Sequence, residues 1–219
     1  APAMGGPLAP RPRLFGDAEW AVRLPTVLAQ AIGALACAGL IRDIARRAFI
    51  AGGRVAAPAR AAAFAAAAWF LAPAFQLTGI LVTIDGCYLA CWSIASWAAW
   101  RALMERSRFA WLALGVALGI GFLFKYTILL LPPGLIIFAL LARRASASPS
   151  PDARAGLNLA PDWRRWFALG LLVCSLALIP VLIWNARAGW PTVAHLLGHL
   201  GASGGDMPTG GPPRAWHEI

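Results

Sequence analysis

Apolar residues run along this chain in long stretches that charge interrupts at only a few points. Read as helices, they predict six segments, at 24–41, 61–84, 86–100, 109–124, 127–142 and 166–184. A helix that crosses a bilayer needs roughly 20 mostly apolar residues. Two of the divisions need a reason. Residues 109–142 hold a single charge, Lys125. As one helix they would be about 51 Å long, far beyond a ~30 Å hydrocarbon core. Residues 61–100 hold only Asp85 and pose the same problem. Each run therefore reads as a hairpin of two spans bent at its charge, and the pattern predicts an all-α, polytopic transmembrane bundle.

Arginine placement supports the hairpins. The segments 42–60, 101–108 and 143–165 fall on one side and carry five, three and five arginines, thirteen of the nineteen basic residues. The positive-inside rule makes that side cytoplasmic. A single span through either run would split these segments between opposite faces. The outer face then receives residues 1–23, with a short amphipathic helix, together with Lys125 and residues 185–219. The stretch "ASASPSPDARAGLNLAPD" reads as a cytoplasmic connector. Trp20, Trp100, Trp111, Trp166 and Trp184 stand near span ends and suggest an interfacial belt.

Composition narrows the class further. The chain has 219 residues, 60% hydrophobic and 13% charged, too apolar for a soluble domain of this size. Its formal charge of +10 lies in loops between apolar runs instead of on one solvated face, which argues against a nucleic-acid partner. Cys37, Cys87, Cys91 and Cys174 all lie inside apolar runs and read as small buried side chains. No phosphate-binding glycine signature occurs, so no nucleotide cofactor is expected.

The unusual polar residues gather at the outer face. Asp85 in "TIDG" reads either as the N-cap of a helix starting at Gly86 or as a site residue, since ionisable groups at membrane depth are functional hypotheses by default. Lys125, the only lysine, reads either as a snorkelling cation or as a point charge for a lipid-linked phosphate. Glu19 and Arg23 have the spacing of an intrahelical ion pair. Asn185 and Arg187 follow the last span. His195 and His199, four residues apart, could offer two imidazoles to a divalent metal, a weak signal without a third ligand.

Four stretches, "RLFGDAEWAVRLPTVL", "LVTIDGCYLACWSIASWAAWRAL", "LALGVALGIGFLFKYTILLLPP" and "IPVLIWNARAGWPTVAHLLGHL", occur in one order over most of residues 13–200. Together they resemble the dolichyl-phosphate-mannose protein mannosyltransferases and the related bacterial lipid A aminoarabinose transferases. The resemblance implies a C-type glycosyltransferase fold in a bacterial inner membrane. It implies transfer of a sugar from a polyprenyl-phosphate carrier, such as undecaprenyl phosphate, to a lipid or protein acceptor at the outer face. It also implies catalytic roles for Asp85 and Glu19, and donor contacts from Lys125, Arg23, Tyr126, Asn185 and Arg187. Some members use a divalent metal, for which His195 is the speculative ligand. The family's main catalytic aspartate lies early in the first outer loop, after an initial span. Residues 1–16 contain no acid, so by this resemblance the chain either lacks its N-terminal part or is catalytically incomplete. A secondary transporter or lipid-linked-sugar flippase is the rival expectation, and a non-catalytic membrane scaffold the third. Transporter sites usually lie near the midplane between inverted repeats, and no such repeat is visible.

Overall fold

The structure, a computed structural model, describes residues 19–53, 56–80, 83–146 and 156–199, with the side chains at 19–22, 76, 78–80, 145–146, 195–196 and 198–199 excepted. These residues form α1 (Glu19–Ile50), α2 (Pro58–Leu71), α3 (Pro73–Ile80), α4 (Ile84–Met104), α5 (Phe109–Phe124), a 3-10 helix (Tyr126–Leu130), α6 (Leu131–Ser146), α7 (Trp163–Ala188) and α8 (Pro191–His199). No strand occurs among the described residues. The chain divides into two compact units, residues 1–177 and 178–219, with the boundary inside α7.

The predicted segments map unevenly onto these helices. The span at 109–124 coincides with α5. The span at 61–84 is two helices: Pro73 lacks an N–H and disfavours helical backbone at the residue before it. Ala72 is accordingly extended at φ −71° and ψ 117°, which ends α2, and Pro73 opens α3. The span at 24–41 lies inside a longer helix, because α1 runs unbroken from Glu19 to Ile50 and absorbs the expected short amphipathic helix. Pro25 stands inside it, and the Thr26 hydroxyl donates to the Arg23 carbonyl oxygen at 3.1 Å.

Three helical stretches are long and apolar enough to cross a membrane: Arg23–Ile50, Tyr126–Arg144 and Trp163–Ala188. Two of the other apolar helices, α2 and α5, are shorter. Large apolar side chains face outward along the long ones, among them Leu35, Ile136 and Leu171 at 70, 60 and 56% exposure. Water would make such a surface an aggregation site, whereas hydrocarbon matches it.

In the first unit α4 is the central helix, with α1 and α5 packed on it. Its buried face is built of small side chains, Cys91, Ala95, Ala98, Ala99 and Ala102, at helical spacings of three and four. Between apolar helices in lipid, association comes from close packing, and small residues permit the close approach. α1 contributes two notches. A Cβ on Gly33 would stand 2.6 Å from Trp69 Cζ2, and one on Gly39 would stand 2.7 Å from Trp97 Cζ2. Both indoles are tied to α1 as well, Trp69 Nε1 donating to Gln30 Oε1 at 2.8 Å and Trp97 Nε1 to Asp43 Oδ2 at 2.7 Å.

The first part of α7 crosses α5 backbone to backbone. A Cβ on Gly115 would collide with the Gly170 carbonyl, and one on Gly170 with the Trp111 carbonyl. Trp111, expected in an interfacial belt, is instead 7% exposed and packs its ring edge-on to Phe167 at 5.3 Å. The second unit is a corner. Trp190 N–H donates to the Asn185 carbonyl at 2.8 Å, and Gly189 and Trp190 take positive φ of 78° and 62°.

The α5–α7 crossing yields a prediction. Gly115→Val and Gly170→Val each overpack it and should lower stability by roughly 1–3 kcal/mol. Gly134→Ala, on α6 with nothing within 4 Å of its Cβ position, should not. Thermal melts of the detergent-solubilised variants distinguish the two classes.

Candidate functional site

Two chain breaks create the site. At the first, α4 begins at Ile84 with Thr83 in the capping position and Asp85 in the first turn. The N-cap expected of Asp85 thus shifts two residues upstream, and the Thr83 hydroxyl makes no capping bond. Asp85 still benefits from the position, because the first turn of a helix carries partial positive charge. At the second break, Lys125 turns extended at φ −156° and ψ 121° and ends α5, its N–H held by the Gly121 carbonyl at 2.9 Å. Ile128, with 0% exposure, anchors the following 3-10 turn. It fills the space beside Gly121, where a Cβ would collide with Ile128 Cδ1 and lie 3.0 Å from Cys91 Cβ. The bend after α5 is thereby pinned against α4.

That anchoring brings the two isolated charges together. Lys125 Nζ donates to Asp85 Oδ1 at 2.9 Å, across 40 residues of sequence. Their side chains are 43% and 38% exposed, so the pair stands at the surface and not in the core. Lys125 Nζ also lies 5.7 Å from the centre of the Tyr88 ring, within cation–π range. Thr127 Oγ1 donates to the Tyr88 hydroxyl at 3.1 Å. An acid, a cation and two hydroxyls from two helix ends thus share one locus.

Tyr88 and Thr127 went unnoticed in the sequence. Tyr88 had a signal, since it follows Asp85 by three residues and so shares its helix face. Thr127 had none, because its role depends on how the 3-10 turn meets α4. Tyr126, beside Lys125, is 43% exposed. Arg23 lies near the start of α1, which Glu19 opens, and the Glu19 side chain lies outside the described residues.

Asn185 and Arg187 belong to the second unit. Asn185 is buried and its amide closes the corner before α8: Nδ2 donates to the Val181 carbonyl at 3.0 Å, and Oδ1 accepts from Thr192 N–H at 3.2 Å. Arg187 is exposed in the last turn of α7. His195 is on α8, its side chain outside the described residues. Among the described residues no three His, Cys, Asp or Glu side chains converge.

The pair has a pH signature. The hydrogen bond to Asp85, and then the charge of its carboxylate, hold the Lys125 ammonium above its ordinary value. A raised folded-state value means that the contribution is fully present below the unfolded value, about 10.4, and is lost as pH rises through the folded one. Because both groups are partly exposed, the coupling should be modest, about 0.2–1 kcal/mol. A double-mutant cycle of Asp85→Asn and Lys125→Met, read by thermal melts, should show that coupling at neutral pH. It should vanish well above pH ~10.4.

Comparison with known proteins adds the lineage. Residues 11–184 match the family described as dolichyl-phosphate-mannose-protein mannosyltransferase, a span that contains Asp85, Tyr88, Lys125 and Thr127. No curated protein and no solved structure matches the chain. With most of its length covered by that match, the chain belongs to the dolichyl-phosphate-mannose-protein mannosyltransferase family of membrane glycosyltransferases.

Proposed function

We propose that this protein moves a sugar from a polyprenyl-phosphate carrier to a lipid or protein acceptor at the extracytoplasmic face of a bacterial inner membrane, with Lys125 receiving the donor phosphate. The observation that supports this most directly is the partly exposed Asp85–Lys125 contact of 2.9 Å at the helix ends. An ammonium there can exchange one anion for another without being buried, and a phosphate is the stronger partner because it offers more acceptor oxygens. The arginine count of the segments 42–60, 101–108 and 143–165 supports the assignment of the opposite face to the cytoplasm.

The reaction is a displacement at the anomeric carbon. The acceptor hydroxyl forms the new bond, the bond from that carbon to the carrier phosphate oxygen breaks, and the carrier leaves as a phosphate whose growing charge Lys125 offsets. The acceptor proton passes to a carboxylate. Asp85 is already engaged by the Lys125 ammonium at 2.9 Å. Its role is to set the Lys125 ammonium in position before the donor arrives and then to orient the acceptor. The base is assigned to the aspartate that the family places early in the first outer loop, with Glu19 the candidate acid near the start of α1. Arg23 and Tyr126 are the further donor contacts in this reading.

Sugar transfer from a polyprenyl-phosphate donor tests the assignment. Lys125→Ala removes a charge-assisted contact worth about 1.5–3 kcal/mol and should lower kcat/KM roughly 10- to 100-fold. Asp85→Asn should also reduce transfer. Full activity in both variants would take the pair out of the site.

A further inference from the structure

The far end of α4 holds a second polar cluster, which sugar transfer at Asp85 and Lys125 does not use. α4 is 21 residues long, so its two ends lie about 30 Å apart. There the main chain folds back on itself. Arg106 takes a positive φ of 58°. Its N–H donates to the Asn158 carbonyl at 3.0 Å, and Asn158 N–H donates to the Leu103 carbonyl at 2.8 Å. Arg47, in the last turn of α1, clamps the corner by donating to the carbonyls of Met104 at 2.7 Å and Gly156 at 3.0 Å. Between these elements opens a cleft of about 410 Å³ lined by Asp43, Arg46, Arg47, Ile50, Glu105 and Asn158.

The cleft carries both signs of charge, and they are not equally engaged. Asp43, 4% exposed, is occupied: Trp97 Nε1 reaches Oδ2 at 2.7 Å and Arg42 Nη2 reaches Oδ1 at 3.3 Å. Glu105 uses Oε2 for Arg101 Nε at 3.3 Å, while its side chain is 27% exposed. Arg46 is exposed and makes no hydrogen bond or ion pair among the described residues. Depth matters too. Arg46 stands five residues beyond Ile41, the last residue of the predicted span, or about 8 Å. Each headgroup layer is about 5–8 Å thick, so a bilayer edge at Ile41, as the sequence predicts, would place Arg46 among the headgroups.

We propose that this cleft binds the headgroup of an aminophospholipid. The phosphate sits on Arg46 beside Arg47, and the primary ammonium donates to Glu105. The acidic wall disfavours a purely anionic headgroup. A choline headgroup supplies the phosphate but no N–H for Glu105.

Native mass spectrometry of the detergent-solubilised protein tests this with phosphatidylethanolamine, phosphatidylcholine and phosphatidylglycerol of matched acyl chains. Phosphatidylethanolamine should be retained at a several-fold lower concentration than the other two. Arg46→Gln should weaken its retention about 5- to 10-fold, the loss of one charge-assisted contact at a partly wet site. Glu105→Gln should abolish the preference over phosphatidylcholine while retention of both persists. Arg60→Gln, which removes an exposed arginine outside the cleft, serves as the control and should match the wild type. Equal retention of the three lipids, tighter retention of phosphatidylglycerol, or cleft variants that behave like the control would overturn the proposal. Displacement of the bound lipid by soluble glycerophosphoethanolamine at comparable concentration would overturn the lipid assignment and leave a headgroup site for a soluble ligand.

Discussion

The seat of Ile128 beside Gly121 is the contact on which the candidate site depends. A helix that ends inside an apolar environment leaves carbonyls without partners, and an irregular turn there survives only where packing holds it. Ile128 supplies that packing, fully enclosed and close to α4 through Cys91. With the turn pinned, the direction of Lys125 is largely settled, and the start of α4 lies within reach of its ammonium. Asp85 and Lys125 meet because of apolar packing beneath them, and their mutual attraction is the smaller effect. An exposed ion pair contributes at most about 1 kcal/mol.

Much of the architecture was legible along the chain, for reasons that can be located. The 109–142 run is too long for one crossing, and its one charge marks the place where α5 ends. The Asp85 break was visible on the same ground. Pro73 was equally visible, and its effect on Ala72 follows from the ring alone, yet apolar continuity across 61–84 concealed that break. The length of α1 was hidden because arginines at 42, 46 and 47 read as a loop. They are compatible with helix once the segment has left the hydrocarbon, where side-chain charge no longer opposes it.

The functional side chains were legible one at a time and not in combination. Asp85 and Lys125 stood out because charge is rare around them. That they bond to each other depends on how α4 and α5 lie side by side, which small residues such as Ala95 and Ala99 decide. Alanines give no directional signal in a chain this rich in apolar residues. Trp111 illustrates the same blindness: an indole at a helix end suits an interface, and only the crossing of α7 over α5 turns it inward.

The indoles seated on α1 restrict how this protein can move. Gly33 and Gly39 are six residues apart, so the recesses for Trp69 and Trp97 are about 9 Å from one another along the axis. One helical turn is about 5.4 Å, and a slide of that size would drive both rings out of their recesses and onto bulkier neighbours. Ratcheting of α1 past α2 and α4 is therefore blocked in either direction.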